Sequence, residues 1–308
     1  MLSILFNPAV IGLMAVFLSV IWMLRDEKDR ARPLLVIALV VNLVYGWLLS
    51  FVMGRENALV PWKYDYVLRG LDDALGIPTA SIAGVLQQVR FPLLVVYQAM
   101  VPMMIAWFLV VRQRRAEGSL VVAYVTEMFA GPILYAIVPG CGPLYAFHGQ
   151  WLHPPSVQAV AIRLGGMPNA FPSLHTATAL VFVSFARGRL WQTISLLFLA
   201  GTILATISTG EHYAIDLVAG LAFGCFAANA GNRKVAHSAF YLALVLGWSL
   251  TVRFAYAFLL AHTALLELFA GFTLLAASAH VFTVWRTGRQ QDPATAATAI
   301  PVSAQSSI

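Results

Sequence analysis

Charged residues are scarce in this sequence. Aspartate, glutamate, lysine and arginine make up only 10% of its 308 residues, whereas they form about a quarter of an ordinary soluble domain. Hydrophobic residues make up 60%, and the mean hydropathy is +0.80. This composition excludes a soluble globular enzyme, a disordered chain and a collagen-like chain, and it indicates a polytopic helical membrane protein.

Cysteine is also rare, with Cys141 in a loop rich in proline and glycine and Cys225 in an apolar segment. Settings that differ so much favour neither a disulfide bond nor a cysteine metal site. The first apolar segment lacks a preceding basic region, and its charged residues follow it at 25–30. We therefore expect a retained span rather than a cleaved signal peptide.

Long apolar segments recur along the chain and predict an all-α polytopic integral membrane protein with about nine transmembrane helices. We expect N-terminal spans and an interfacial segment over 1–91, a membrane core over 92–230, C-terminal spans over 231–285 and a disordered tail over 286–308. The predicted spans lie at about 8–24, 33–53, 92–111, 119–138, 171–186, 190–208, 213–230, 236–258 and 264–285.

The distribution of lysine and arginine predicts the orientation. With the N-terminus outside, 13 of the 19 basic residues fall on the cytoplasmic side, as the positive-inside rule requires. The remaining six fall outside or near the outer interface, and five of them lie within the long connections 54–91 and 139–170. We expect interfacial helices in the first connection and a functional loop in the second.

Two polar clusters begin predicted spans on that outer side. In GGMPNAFPSLHTATAL, residues 165–180, Asn169 or Ser173 can cap the helix that follows Pro172. Free backbone N–H groups near Ser173, Leu174 and His175 would then form an anion site at the helix N-terminus. His175 would stand beside this site.

The second cluster is STGEHYAIDLVAG, residues 208–220. His212 and Asp216 are four residues apart, so they share one helix face, and the carboxylate can hold one imidazole nitrogen protonated. The other nitrogen is then free as a nucleophile or base. Two histidines, one carboxylate and an anion site at one membrane level predict phosphoryl transfer.

Other interpretations stay open at this point. Each histidine can be an ordinary interfacial side chain, and His212 and Asp216 can simply satisfy each other's hydrogen-bonding groups without a further role. A metal site formed by His175, His212 and Asp216 is a weaker alternative, because no HExxH-type spacing is present. A non-catalytic lipid-binding or transport protein on the same scaffold is another.

The clusters resemble the type-2 phosphatidic acid phosphatase superfamily, whose signatures PSGH and H-x-x-x-D stand here as PSLH (172–175) and HYAID (212–216). The flanking residues look most like the branch that includes inositol phosphorylceramide synthases. The resemblance covers about residues 130–228. It implies a six-helix phosphatase-like catalytic core and an active site at the extracytoplasmic face of the cell membrane.

The resemblance also implies roles for the matching residues. His212 would attack phosphorus and form a phosphohistidine, Asp216 would orient it, and His175 would protonate the leaving alcohol. Ser173 and the backbone at Leu174 would bind phosphate oxygens. The implied activity is that of a lipid phosphatase or phosphotransferase with no cofactor, acting on a phosphorylated lipid with water, inositol or another alcohol as acceptor.

The sequence departs from the superfamily pattern at its cations. The arginine six residues before the H-x-x-x-D histidine is Thr206 here, and the lysine-arginine signature is not found. Another cation must therefore neutralise the phosphate. The outer-side candidates are Arg163, Lys63, Arg69 and Arg90.

Overall fold

The computed structural model describes residues 51–112, 116–156 and 158–290. The predicted span at 8–24, and that at 33–53 apart from its last three residues, lie outside this part of the chain. Residues 51–59 are helical, and a two-residue strand, β1 (Trp62–Lys63), pairs with β2 (Ile162–Arg163). The helices that follow are α1 (Asp65–Ala74), α2 (Thr79–Leu86), α3 (Arg90–Gln98), α4 (Met100–Arg112), α5 (Glu117–Ile137), α6 (Pro143–Ala146), α7 (Leu174–Phe185), α8 (Arg189–Thr209), α9 (Ala214–Gly231), α10 (Val235–Phe254), α11 (Tyr256–Ala261) and α12 (Thr263–Gln290).

The predicted all-α membrane architecture is confirmed. Within the described ranges, six helical segments are long and apolar enough to cross a bilayer; the predicted count of nine is not confirmed. These segments are Thr79–Gln98, Gly118–Ile137, Arg189–Thr209, Ala214–Gly231, Val235–Phe254 and Thr263–Gly288.

Two predicted boundaries are wrong. The span expected at 92–111 begins at Thr79, runs through α2, a 3-10 turn and α3, and continues as α4 after Ala99. Gln87, Gln88 and Arg90 lower the local hydropathy, which is why the apolar pattern alone starts the span too late. At the other end, residues 286–290 extend α12 rather than belonging to a disordered tail.

Helix α7 is shorter than the span expected at 171–186. Its 12 residues rise about 18 Å, whereas the hydrocarbon core of a bilayer is about 30 Å thick. The segment before it is irregular, yet Ala170, Phe171 and Ser173 are completely buried. Irregular backbone at this depth is tolerated where it is buried in protein or lines a cavity.

Helix α9 lies at the centre of the bundle and packs against α5, α7, α10 and α12. Fifteen of its 18 residues are buried, as expected for a helix that is apolar all round. Gly220 and Gly224 face α7: a Cβ at Gly220 would lie 2.7 Å from the carbonyl oxygen of Ser173, and one at Gly224 would lie 2.5 Å from that of Ala177. Two glycines four residues apart thus allow the backbones of α7 and α9 to approach closely.

A layer of short elements covers the end of the bundle at which α7 and α9 begin. Helix α1 buries Val67, Leu68 and Leu71 in a cluster that includes Phe171 and Tyr213. The N–H of Tyr64 donates to the carbonyl of Pro139, 2.8 Å away. The long connections therefore pack over the polar clusters found in the sequence.

The opposite end of the bundle carries the short turns between successive spans. Consecutive spans alternate in direction, so the turns after α7 and α9 and the C-terminal end of α12 lie away from the covering layer. They contain Arg187, Arg189, Arg233 and Lys234, and Arg286 lies near the end of α12. This arrangement agrees with the positive charge expected on one side of the membrane.

Candidate functional site

The two histidines of the polar clusters lie side by side. Ser173 caps α7 by accepting a hydrogen bond from the N–H of Thr176 at 3.3 Å, which fixes His175 in the first turn. Helix α8 ends at Gly210 in the left-handed conformation, φ 75°, and this places His212 in the turn before α9. The ring centroids of His175 and His212 are 6.1 Å apart, with 66° between the planes, so both imidazoles can reach one bound group.

Asp216 connects the second histidine to α9. Its Oδ2 accepts a hydrogen bond from the N–H of Tyr213 at 2.8 Å and lies 3.4 Å from Nδ1 of His212. The backbone oxygen of Asp216 accepts from the N–H of Ser173 at 3.0 Å. The Asp216 carboxylate therefore lies on the Nδ1 side of His212 and can hold the imidazole in one orientation.

Two further buried carboxylates hold the site segments. Asp72 accepts hydrogen bonds from Thr79 Oγ1 at 2.6 Å and from the N–H groups of Ala214 and Ile215 at 2.8 and 2.9 Å. These are the first N–H groups of α9, so Asp72 satisfies donors that no intrahelical acceptor reaches. Burial raises the pKa of Asp72 to about 6, against the opposing effect of these hydrogen bonds.

The Asp65 carboxylate likewise holds the loop PGCGP, residues 139–143, by accepting hydrogen bonds. It accepts from the N–H of Gly142 at 2.8 Å, from the N–H of Cys141 at 3.1 Å and from the hydroxyl of Tyr213 at 3.2 Å. Gly142 has φ 86°, and a Cβ there would collide with the backbone of Glu211. The loop therefore packs directly against the segment that carries His212.

Tyr97 on α3 was not singled out by the sequence. Its ring stacks on that of His175, with centroids 4.2 Å apart and 20° between the planes. The stack limits rotation of the imidazole. Nothing local in the sequence marks Tyr97, because it belongs to an apolar span 78 positions before His175 and resembles any other aromatic of that span.

Glu211 and Tyr145 form a polar pair beside His212. The Tyr145 hydroxyl donates to Oε1 of Glu211 at 3.3 Å, and the Tyr145 side chain is exposed. Burial raises the pKa of Glu211, while His212 and the Tyr145 hydroxyl lower it. Adjacency to the histidine signature is the only sequence signal for this carboxylate.

Burial also controls the charge of His212. It lowers the pKa of the imidazole to about 4, although the Glu211 carboxylate and the backbone of Ala170 act in the opposite direction. His212 is therefore neutral at neutral pH. A neutral imidazole can act as a nucleophile or base.

A narrow cavity reaches His212. Its volume is about 10 Å³, which is room for about one water molecule. Arg69 and His212 line it together with Thr79, Trp151 and Tyr213. The Arg69 Nε is also 2.9 Å from the Asp73 carboxylate in an exposed ion pair.

The other predicted phosphate-binding cations lie elsewhere. Lys63 is completely buried and its Nζ donates to Asn57 Oδ1 at 2.8 Å and to the carbonyl of Val60 at 3.1 Å. The Arg163 guanidinium lies 5.4 Å from the centroid of the Trp62 ring. Arg90 is exposed and does not line the cavity, so Arg69 is the one of the four candidates that the structure brings to the cavity with His212.

The anion site expected at the start of α7 is smaller than predicted. The N–H of Ser173 is not free, because it donates to the backbone of Asp216, and the Ser173 side chain is completely buried. In the part of the chain that the structure describes, the N–H groups of Leu174 and His175 donate to no acceptor. These two donors are available to a phosphate oxygen.

The alternative of a metal site is not supported by the geometry. Among the described residues, no group of three or more histidine, cysteine, aspartate or glutamate side chains is arranged to hold a metal ion. His175 faces Tyr97 and His212, whereas Asp216 lies on the Nδ1 side of His212. The three side chains therefore do not converge on one point.

The sequence was also compared with known proteins. The family model described as the PAP2 superfamily matches residues 68–230, a range that contains both histidines, Asp216, Arg69 and Tyr97. Comparisons with curated proteins and with solved structures gave no match.

Proposed function

As the chain belongs to the PAP2 superfamily, we propose that it cleaves the phosphoester of a phosphorylated membrane lipid through a phosphohistidine at His212. The observation that carries this proposal is the pairing of the two imidazoles 6.1 Å apart, with His212 held on Asp216. The site begins at the ends of membrane spans, where a lipid phosphate is found. An amphiphilic substrate can keep its hydrocarbon chains in the bilayer while its phosphate meets the histidines.

The first half of the reaction uses both histidines. Nε2 of His212 attacks phosphorus, and the bond from phosphorus to the leaving alcohol oxygen breaks. His175, in its imidazolium form, gives a proton to that oxygen, so the alcohol leaves neutral and His175 is left as a neutral imidazole. The N–H groups of Leu174 and His175 and the Arg69 guanidinium bind the phosphate oxygens as negative charge develops on them.

The second half releases phosphate. Water attacks the phosphohistidine, gives a proton to His175 and breaks the bond between phosphorus and Nε2. Asp216 stabilises the positive charge that His212 carries while it is phosphorylated.

Transfer to an alcohol such as inositol is the second candidate. The exposed Tyr145 hydroxyl and the Glu211 carboxylate offer a hydrogen-bonding surface for an alcohol next to His212. Such a transfer would follow the same first step. The cavity beside His212 has room for about one water molecule, so it must widen to admit the lipid phosphate in the first step as well as an alcohol in the second.

The basic turns at the opposite end of the bundle support an orientation with the active site on the extracytoplasmic side of the cell membrane. A phosphorylated lipid of the outer leaflet would then be the donor.

The test is phosphate release from lipids by the purified protein. Phosphatidic acid, a polyprenyl phosphate and a phosphodiester lipid are each supplied with and without inositol, and products are identified by mass spectrometry. His212→Ala should abolish turnover, while His153→Ala, which removes an exposed loop histidine, should leave it unchanged. An acid-labile phosphate trapped on the peptide that contains His212 would establish the intermediate.

Lipid-bound protein without His212-dependent turnover on any donor would overturn the proposal in favour of a non-catalytic lipid-binding protein. A new inositol lipid that appears at the expense of free phosphate would identify a transferase.

A further inference from the structure

A second amphiphilic surface lies at the end of the bundle opposite the histidines. It is a groove of about 340 Å³ between α9 and α10. Phe226 and Ala230 of α9 form one wall. The other wall is a single face of α10, because its residues recur at helical spacing: Val235, Ser238, Ala239 and Leu242.

Arg233 lies at the open end of this groove, in the turn between the two helices. Its side chain is exposed, and among the described residues no carboxylate or carbonyl pairs with the guanidinium. The unpaired Arg233 guanidinium therefore lies at the membrane interface, at the end of the apolar groove. The groove extends from Val235 to Leu242, about 10 Å along the helix axis, which is within the half-thickness of about 15 Å of one leaflet.

The backbone at Arg233 gives an independent indication. Arg233 has φ 56°, a left-handed conformation that costs a residue with a side chain about 1 kcal/mol or more. The N–H of Arg233 donates to the carbonyl of Ala230, and that of Lys234 donates to the carbonyl of Asn229. This is the pattern of a helix C-terminus at which glycine is the usual residue.

The equivalent position after α8 shows the contrast, because Gly210 adopts φ 75° there. Arginine at the position after α9 keeps a backbone cost that glycine would remove.

We propose that this groove binds one anionic phospholipid of the leaflet opposite the active site. The lipid phosphate contacts the Arg233 guanidinium, and one hydrocarbon chain lies along the α10 face between Phe226 and Leu242. An uncharged lipid has no group to pair with the guanidinium, and a free phosphate has no hydrocarbon chain to fill the apolar groove. Because α9 also carries Asp216, the lipid rests on the helix that orients His212, and its binding does not depend on the proposed enzymatic activity.

The experiment measures lipids retained by the full-length protein after reconstitution in nanodiscs that contain equal amounts of dioleoyl phosphatidylglycerol and dioleoyl phosphatidylcholine. Native mass spectrometry counts the phosphatidylglycerol molecules that stay bound. The Arg233→Gly variant should retain phosphatidylglycerol roughly fivefold less, as expected for the loss of one basic contact near an anionic lipid. Its thermal stability should stay equal or rise, since glycine relieves the left-handed backbone.

Matched variants separate the groove from general charge. Lys234→Ala removes the neighbouring positive charge outside the groove and should have a smaller effect than Arg233→Gly. Ala239→Trp fills the groove and should release the lipid, whereas Ala236→Trp places the same bulk on an exposed position of α10 that does not line the groove. Inorganic phosphate at millimolar concentration should not displace the lipid.

Several results would overturn the proposal. Equal losses in Arg233→Gly and Lys234→Ala would indicate diffuse charge attraction, and unchanged retention in Ala239→Trp would remove the groove from the binding surface. A dimer that Ala239→Trp converts to a monomer would identify a second copy as the occupant. A cross-link from Ala239→Cys to residues 1–50 would identify another segment of this chain.

Discussion

The ring of Tyr97 stacks on the imidazole of His175, 4.2 Å between centroids. Helix α3 thereby positions a side chain that belongs to α7. Tyr97 is a positioning residue in this arrangement. Its ring, rather than its hydroxyl, makes the contact.

Replacement of Tyr97 therefore tests the importance of this stack. Tyr97→Phe should retain the activity, whereas Tyr97→Ala should lower kcat about 10- to 100-fold with little change in KM, because a misplaced general acid slows the chemical step. Steady-state phosphate release measures both constants. If Tyr97→Ala changes KM alone, the ring contacts the substrate instead of holding His175.

The acid limb of the pH profile should report on His212. Because burial lowers the pKa of this imidazole to about 4, the neutral nucleophile persists as pH falls through 6.5 and is lost only near pH 4. The value of kcat/KM in the free enzyme should follow the same course. An acid limb near 6.5 would show that His212 is solvated.

The Glu211 carboxylate raises the pKa of His212 against the effect of burial. Glu211→Gln should therefore move the acid limb to lower pH, and Glu211→Asp should restore part of the difference. The pH dependence of kcat/KM for the three proteins provides the measurement. A shift to higher pH would have the wrong sign for this electrostatic interaction.

Arg69 divides its interactions between the exposed Asp73 and the cavity of His212. Arg69→Gln should raise KM about tenfold, as expected for one charge-assisted hydrogen bond to phosphate. Asp73→Asn releases the guanidinium from its ion pair and should leave KM unchanged or lower it. Equal increases in both variants would mean that the ion pair, rather than a phosphate contact, is what matters.

The contact between α7 and α9 should tolerate no additional methyl group at Gly220. A Cβ there would lie 2.7 Å from the Ser173 carbonyl, so Gly220→Ala must separate the helices that carry His175 and Asp216. We expect a loss of about 1–3 kcal/mol in the free energy of unfolding and a lower kcat. Gly271→Ala is the matched control, because nothing lies within 4 Å of a Cβ at that helical position. Chemical denaturation in detergent compares the two.

Much of the arrangement could be predicted from the sequence. His212 and Asp216 share a helix face, and His175 begins another span at the same level, so their proximity follows from local spacing and membrane topology. The structure brings these residues together, and their catalytic roles stay a prediction. The stack of Tyr97 on His175 could not be predicted, because the pairing of distant spans depends on packing rather than on local pattern.

The buried carboxylates illustrate the same limit. Asp72 lies in an acidic stretch that predicts an interfacial surface, yet it is buried and holds the first N–H groups of α9. The hydropathy pattern around Asp72 does not reveal this role, because the N–H groups that Asp72 binds belong to a helix far away in the sequence. Lys63 likewise is a plausible phosphate ligand by its position in the sequence, but its nitrogen is engaged by Asn57 and Val60.

The short helix α7 has a consequence for the surrounding bilayer. His175 stands in the first turn of a helix that rises about 18 Å, so its imidazole lies below the level at which a helix of full length would emerge. A headgroup that reaches it must sink beneath its neighbours, or the leaflet must dip to meet the protein. The thickness of the surrounding bilayer should therefore affect the rate of turnover. A bilayer of longer lipid chains should lower this rate even when the substrate is unchanged.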